Sequence, residues 1–209
     1  MTDKNTIRIL TVDDHPLLRE GIAAVLSSEV DMALIAEAST GMEAIEQFRT
    51  HRPDITLMDL QLPLLNGIEA IVAIRKEFPD ARIIVLTTYA GDAQAVRAFN
   101  AGASGYLLKN MLRKELVETI RSVHCGKKRI PPEIAVEMAE HHADDSLTER
   151  EIDVLREVAA GNANKIAADH LGISEETVKA HMKSILSKLG ANDRTHAVTI
   201  ALKRGIIEI

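Results

Sequence analysis

Four short apolar stretches of this 209-residue chain end on residues that carry charge or a hydroxyl. Asp59 closes the run Ile55–Met58, Asp13 and Asp14 follow Ile7–Val12, Thr87 follows Arg82–Leu86, and Lys109 follows Gly105–Leu108. A carboxylate at the end of a buried run is costly unless a cation or hydrogen bonds hold it. Three carboxylates in one cluster repel one another, and their pKa values rise unless a cation neutralises them. Oxygen donors with water filling the remaining positions suit Mg²⁺. Zinc does not fit, because no cysteine stands near these acids and His15 is alone among them.

These groups meet only if the elements carrying them lie side by side. Strands are expected at Ile7–Val12, Met32–Ala36, Ile55–Met58, Arg82–Leu86 and Gly105–Leu108. Helical periodicity covers roughly Leu17–Ser27, Met42–Thr50, Gly67–Glu77, Ala93–Ala101 and Leu112–Val123. Pro16 suits the start of the first helix, where a missing N–H costs nothing. Strict strand–helix alternation implies a parallel sheet covered on both faces. In such sheets the carboxyl ends of the strands form the ligand edge, and all five groups fall there.

The segments Val12-Asp13-Asp14-His15-Pro16, Met58-Asp59-Leu60-Gln61-Leu62-Pro63, Leu86-Thr87-Thr88 and Gly105-Tyr106-Leu107-Leu108-Lys109 resemble the receiver domain of bacterial two-component response regulators, over residues 6–124. The resemblance implies an α/β flavodoxin-like fold with a five-stranded parallel sheet in the order 2-1-3-4-5. It implies that Asp59 accepts a phosphoryl group from a sensor kinase histidine. Asp13, Asp14, Asp59 and the backbone carbonyl of Gln61 would hold Mg²⁺. Lys109 would pair with the phosphoryl group, Thr87 would hydrogen-bond it, and Tyr106 would follow Thr87 as a switch. His15 reads as a loop residue or helix cap. Two residues depart from the commonest pattern. Asn110 stands where many receivers have proline, so the isomer of the Lys109–Asn110 bond stays open. Tyr89 lies two residues after Thr87, and its bulk near the phosphoryl group would shield an aspartyl phosphate from water and make it long-lived.

The N-terminus has no signal-peptide character, and no apolar run approaches a bilayer-spanning length. The single cysteine, Cys125, excludes an intrachain disulfide and suits a reducing cytoplasm. The formal net charge is −6, distributed as −4 over residues 1–124, −2 over 125–145 and zero over 146–209. An acidic total argues against bulk nucleic-acid binding but allows a local basic stripe.

Glycine and two prolines in Cys125-Gly126-Lys127-Lys128-Arg129-Ile130-Pro131-Pro132 end the first domain. The expected division is 1–124, a linker over 125–145, and a second domain over 146–209. Within the linker, Glu133–His142 fits one short helix, and Lys127, Lys128 and Arg129 read as helix-end or solvated charges. His141 and His142 are neighbours, so they do not share a helix face and do not form a metal site.

In the second domain Thr148 and Glu151 form a capping-box pattern that opens a helix to about Ala160. Helices follow at Asn164–His170, Glu175–Leu189 and Arg194–Lys203. A short helix, a glycine turn at Gly172 and a longer helix make a helix-turn-helix pattern. At about 100° per residue, Val178, Met182, Ile185 and Leu189 fall on one narrow buried stripe. Lys179, Ala180, Lys183 and Ser187 fall opposite. Lysines four apart repel unless something anionic faces them, and a phosphate backbone supplies that. The low aromatic content, 2%, argues against a base-stacking single-strand or RNA binder.

Residues 146–209 resemble the NarL/FixJ (LuxR-type) DNA-binding domain through Leu147-Thr148-Glu149-Arg150-Glu151, Asn164-Lys165, Gly172-Ile173-Ser174, Thr177-Val178-Lys179-Ala180-His181-Met182-Lys183 and Lys188-Leu189-Gly190. The resemblance implies an all-α four-helix domain in which Lys179, Ala180 and Lys183 meet bases in the major groove of double-stranded DNA. It makes Asn164, Lys165, Ser174, Thr177, Lys188 and Arg194 phosphate-side candidates. Ile166-Ala167 stands where a polar residue and then isoleucine are common, which would thin the small core. Val198, Ala201 and Leu202 form either a dimer face or part of that core. The whole then reads as a cytoplasmic two-component transcription factor, homodimeric when active and not an enzyme beyond self-phosphotransfer and slow autodephosphorylation. Two competing classes are a Mg²⁺-dependent aspartyl phosphatase and a receiver whose helical domain docks a protein. Leu60-Gln61-Leu62 offers no general acid for the former.

Overall fold

The computed structural model describes residues 6–88, 92–132, 134–136 and 147–207. The chain divides into two compact units, the larger built mainly from residues before Pro132 and the smaller from the C-terminal helices.

The first unit alternates strands and helices as the sequence pattern requires: β1 (Ile7–Val12), α1 (Pro16–Ser27), β2 (Met32–Ala38), α2 (Gly41–His51), β3 (Ile55–Asp59), α3 (Gly67–Glu77), β4 (Ile83–Thr87), α4 (Asp92–Asn100), β5 (Gly105–Leu108) and α5 (Leu112–His124). The strands form one parallel sheet in the order β2-β1-β3-β4-β5. Their alternation sorts side chains onto two faces. Ile9, Ile55, Leu57, Ile84, Leu86 and Leu107 pack with Ile22 and Leu26 of α1 and Leu112, Leu116, Ile120 and Val123 of α5. On the other face Val12, Met58, Val85 and Tyr106 are buried, and α2 and α3 contribute Phe48, Ala70, Ile71 and Ile74 to the interior. A central sheet with both faces covered explains the nearly unbroken apolar runs.

Strand ends differ slightly from the sequence reading. β2 runs on through Glu37 to Ala38 because Val12 pairs with Ala38 and carries the polar residue along the ladder. β3 takes in Asp59 itself, paired with Leu86. The Lys109–Asn110 bond is trans, as are all peptide bonds of the described residues. α3 opens with a capping box that the sequence reading passed over, in which Asn66 accepts from the amide of Glu69 and Glu69 accepts from that of Asn66.

The second unit contains α6 (Glu149–Ala159), α7 (Asn164–Leu171), α8 (Glu175–Leu189) and α9 (Arg194–Lys203). Thr148 and Glu151 do form the expected capping box. α7 stops at Gly172, whose φ of 64° is the left-handed conformation that glycine adopts without strain. Val154, Leu155, Val158, Ala167, Ala168, Val178, Met182, Ile185, Leu189, Ala197 and Ala201 make its core. Ala167 is buried and Ile166 is turned outward, so the smaller side chain fills the core position, as expected. Ala201 is fully buried, and Val198 and Leu202 pack on the same cluster, so this face of α9 belongs to the core. The Glu133–His142 helix and the His141-His142 pair lie wholly or largely outside the described residues.

Candidate functional site

The carboxyl ends of β1 and β3 place Asp13 and Asp59 next to one another, and both are buried. Lys109, in a 3-10 turn directly after β5, reaches between them. Its Nζ lies 2.7 Å from Asp59 Oδ2 and 2.8 Å from Asp13 Oδ2. The Asp59 contact is a well-directed hydrogen bond, whereas Asp13 Oδ2 is close enough for an ion pair but lacks a hydrogen-bond partner of good geometry. The other Asp59 oxygen accepts the backbone N–H of Gln61 at 3.2 Å. Burial pushes the Asp59 carboxyl above its ordinary pKa, and the nearby Asp13 charge adds to this, more than Lys109 offsets. For Lys109 burial acts to lower the pKa, but the close Asp13 and Asp59 carboxylates outweigh it and hold the amine charged.

Asp14 is exposed, with its carboxylate turned to His15 at 2.7 Å. One ligand atom from each of Asp13, Asp14, His15 and Asp59 lies within 4.8 Å of the others. His15 is the one histidine of that cluster, and no cysteine joins it among the described residues. It occupies the N-cap position of α1, but its ring turns to the acids rather than capping the helix. Several carboxylates, one with a raised pKa, and one buried oxygen without a directed donor fit a hard divalent cation.

Thr87 ends β4, one residue beyond the Leu86 that pairs with Asp59, and is buried. Tyr106 is fully buried on β5 beside Val85, on the sheet face that Thr87 also occupies. Tyr89 lies outside the described residues.

Three supporting residues escaped the sequence reading. Arg19 donates to the carbonyl of Asp13 at 2.6 Å and fixes the end of β1. Gly67 lets the start of α3 lie against the chain at Asp59, since a Cβ there would overlap the Asp59 carbonyl oxygen and crowd Leu60. Its N–H donates to Leu60 O at 3.0 Å. Glu151, noted only as a cap, is buried and also receives Ser184 Oγ at 2.6 Å and Lys188 Nζ at 2.7 Å from α8.

That bond revises one expectation. Lys188 is a phosphate-side candidate by its motif, but its ammonium is directed to Glu151 inside the unit. It stands one turn after Ser184, on the side of α8 that meets Glu151, which is the physical reason. Lys179, Ala180 and Lys183 are exposed on the outer face. Lys179 pairs with Glu176 at 2.8 Å and Glu175 at 3.3 Å, whereas no partner is found for Lys183 among the described residues. Ser174 accepts the Thr177 amide at 3.1 Å and shares a hydroxyl contact with it at 2.8 Å. Arg194 is exposed and donates to Asn162 O. Asn164 and Lys165 open α7, Asn164 half-buried and Lys165 exposed.

A doubly wound sheet with this acid–lysine edge, followed by a helix-turn-helix unit, defines a signalling protein built to regulate transcription. Residues 9–121 match the family described as "Response regulator receiver domain", and residues 145–201 match "Bacterial regulatory proteins, luxR family". The chain belongs to the response regulators of this LuxR-type architecture and is a transcription factor. It is similar to the transcriptional regulatory protein LnrK of Bacillus subtilis, at 37% identity over 96% of this chain and 98% of that one. It is similar also to the response regulator VraR of Staphylococcus aureus, at 36% identity over 97% and 100%. Among solved structures, RcsB of Salmonella enterica serovar Typhimurium, bound to promoter P1flhDC with the phosphomimetic BeF3−, matches with a TM-score of 0.72 and 25% identity over 96% and 100%.

Proposed function

We propose that Asp59 is the phosphoacceptor through which a sensor histidine kinase controls DNA binding by the C-terminal helices. The observation that carries this reading is the Lys109 ammonium held between two buried carboxylates at the strand ends. An Asp59 oxygen attacks the phosphorus of a phosphohistidine. The P–O bond forms as the P–N bond breaks, and its electron pair returns to the imidazole, which takes up a proton. Lys109 then pairs with a phosphoryl oxygen, and the Thr87 hydroxyl donates to another. Asp13, Asp14, Asp59 and the Gln61 carbonyl would hold Mg²⁺, which offsets charge on the carboxylate and the phosphoryl oxygens. The remaining turnover is slow autodephosphorylation, and Leu60-Gln61-Leu62 offers no general acid for a phosphatase acting on other substrates.

The added charge at the sheet edge biases a two-state element made of Thr87 and Tyr106. Its output is a homodimer that reads paired half-sites about one helical turn apart. Lys179, Ala180 and Lys183 face the bases, while Asn164, Lys165, Ser174, Thr177 and Arg194 face phosphates. The functional division is 1–124 receiver, 125–145 linker and 146–209 DNA-binding domain, acting in the cytoplasm. No helix among the described residues is long and apolar enough to cross a membrane.

The test incubates the full chain with acetyl phosphate and Mg²⁺ and maps the product by mass spectrometry after borohydride reduction. Conversion of Asp59 to homoserine, the reduction product of an aspartyl phosphate, absent in Asp59→Asn, supports the reading. Modification at another residue, or none, overturns it.

A further inference from the structure

The basic tract after α5 has no role in the reading above. Lys127, Lys128 and Arg129, with Arg121, line an open groove of about 460 Å³ whose wall also includes Glu118, Ser122 and Cys125. It stands out in an acidic part of the chain, since residues 1–124 carry −4 and residues 125–145, which include it, carry −2.

This tract is not a loose tail. At its start the amide of Lys127 donates to Ser122 O at 3.1 Å, closing α5 through Gly126 at a φ of 81°. At its end Arg129 is bound on both sides. Its N–H donates to Ser104 O at 3.1 Å, and its carbonyl accepts from Tyr106 N at 2.9 Å, so it pairs with the edge of β5 as a one-residue strand. Lys127 and Lys128 are the exposed residues between these two anchors. Arg121 is engaged by Asp31 and Glu29, and Arg129 by Glu118 at 3.2 Å. No carboxylate partner is found for either lysine among the described residues. Helix-end compensation needs no such double anchoring. Two ammoniums held by fixed backbone lose less freedom on meeting an anion than two on a mobile tail.

We infer that Lys127 and Lys128 form a second contact with the DNA phosphate backbone, outside the site read by α8. This rests on the DNA-binding reading of the C-terminal unit. DNA is favoured over a free anion because the tract and the recognition helix share one chain. Binding by one holds the other at high effective concentration near the same duplex. A contact of this kind carries no sequence information and appears as salt dependence.

The test uses the full chain and a mixed-sequence DNA duplex, with affinity measured by fluorescence anisotropy across a salt series. Lys127→Ala/Lys128→Ala is expected to reduce the slope of log K against log salt by about 1.8, at about 0.9 for each phosphate left without its lysine. Lys127→Arg/Lys128→Arg is expected to keep the slope. Lys183→Ala is run in parallel. If Lys183→Ala weakens binding and the double alanine variant leaves the slope unchanged, the tract inference is overturned and the reading of α8 stands. If the wild-type chain itself shows no salt-dependent binding, the DNA reading fails and the tract inference with it. Tripolyphosphate supplies a further arm. Loss of its binding in the alanine variant, with the DNA slope unchanged, makes the groove a small-anion site and overturns the assignment to DNA.

Discussion

Lys109 balances Asp13 and Asp59, so its removal strands two buried acids. Lys109→Ala is expected to destabilise the receiver by about 3 kcal/mol in denaturant titration without metal. It is also expected to abolish phosphoryl transfer to Asp59. Mg²⁺ addresses the same problem from outside. It is expected to raise the melting temperature of the wild type in a saturable way, because a ligand that binds only the folded state stabilises it. Asp13→Asn is expected to lose most of that rise; an equal rise in both proteins would place the ion elsewhere. The acids, Thr87 and Lys109 were legible in the sequence because each ends an apolar run. His15, Arg19 and Gly67 were not, because a ring turning to acids, a guanidinium on a carbonyl and a missing Cβ leave no trace in spacing.

At the scale of the element, α3 must start against the carbonyl of Asp59, and only a residue without a side chain fits. Gly67→Ala is expected to lower stability by about 3 kcal/mol, since the atoms met are backbone and cannot swing away. Failure to move the melting curve would show that α3 can shift without cost. Glu151 ties α6 to α8, and the bonds from Lys188, Ser184 and Thr148 overcome its burial and lower its pKa to about 2 from 4.5. The stabilisation this represents, roughly 3 kcal/mol, is fully present above pH 4.5 and is lost as pH falls toward 2. Glu151→Gln should therefore melt below the wild type at pH 7, and the gap should close in acid. Thr148 and Glu151 were legible as a capping box because that motif is local. The bonds to Ser184 and Lys188 were not, because they join residues 33 and 37 positions apart. The same distance hid the true direction of Lys188. Helix bounds were read well where caps or glycines mark them, as at Glu175–Leu189, and β2 was read short because its last pairs depend on β1.

For the whole molecule, a phosphoryl group on one unit is expected to alter what the other does. Beryllofluoride with Mg²⁺ is expected to increase DNA affinity and shift sedimentation from monomer toward dimer, with Asp59→Asn unresponsive. Lys183→Ala is expected to weaken DNA binding more than tenfold while the circular dichroism melt stays in place. Unchanged affinity would remove α8 from the major groove. The two-unit plan was legible because the hydrophobic period changes from sheet–helix alternation to helices alone, with glycine and proline between. The anchoring of Arg129 on β5 was not, because a single bridged residue has no period.

Asp59 and Lys109 are 50 positions apart, and the sheet joins them only when β3, β4 and β5 lie side by side. A nascent chain still on the ribosome, with Lys109 not yet synthesised, therefore presents the Asp13, Asp14 and Asp59 acids without their ammonium. In the proposed reading, Asp59 becomes competent only once the chain through β5 and Lys109 has folded, whatever the state of the C-terminal helices.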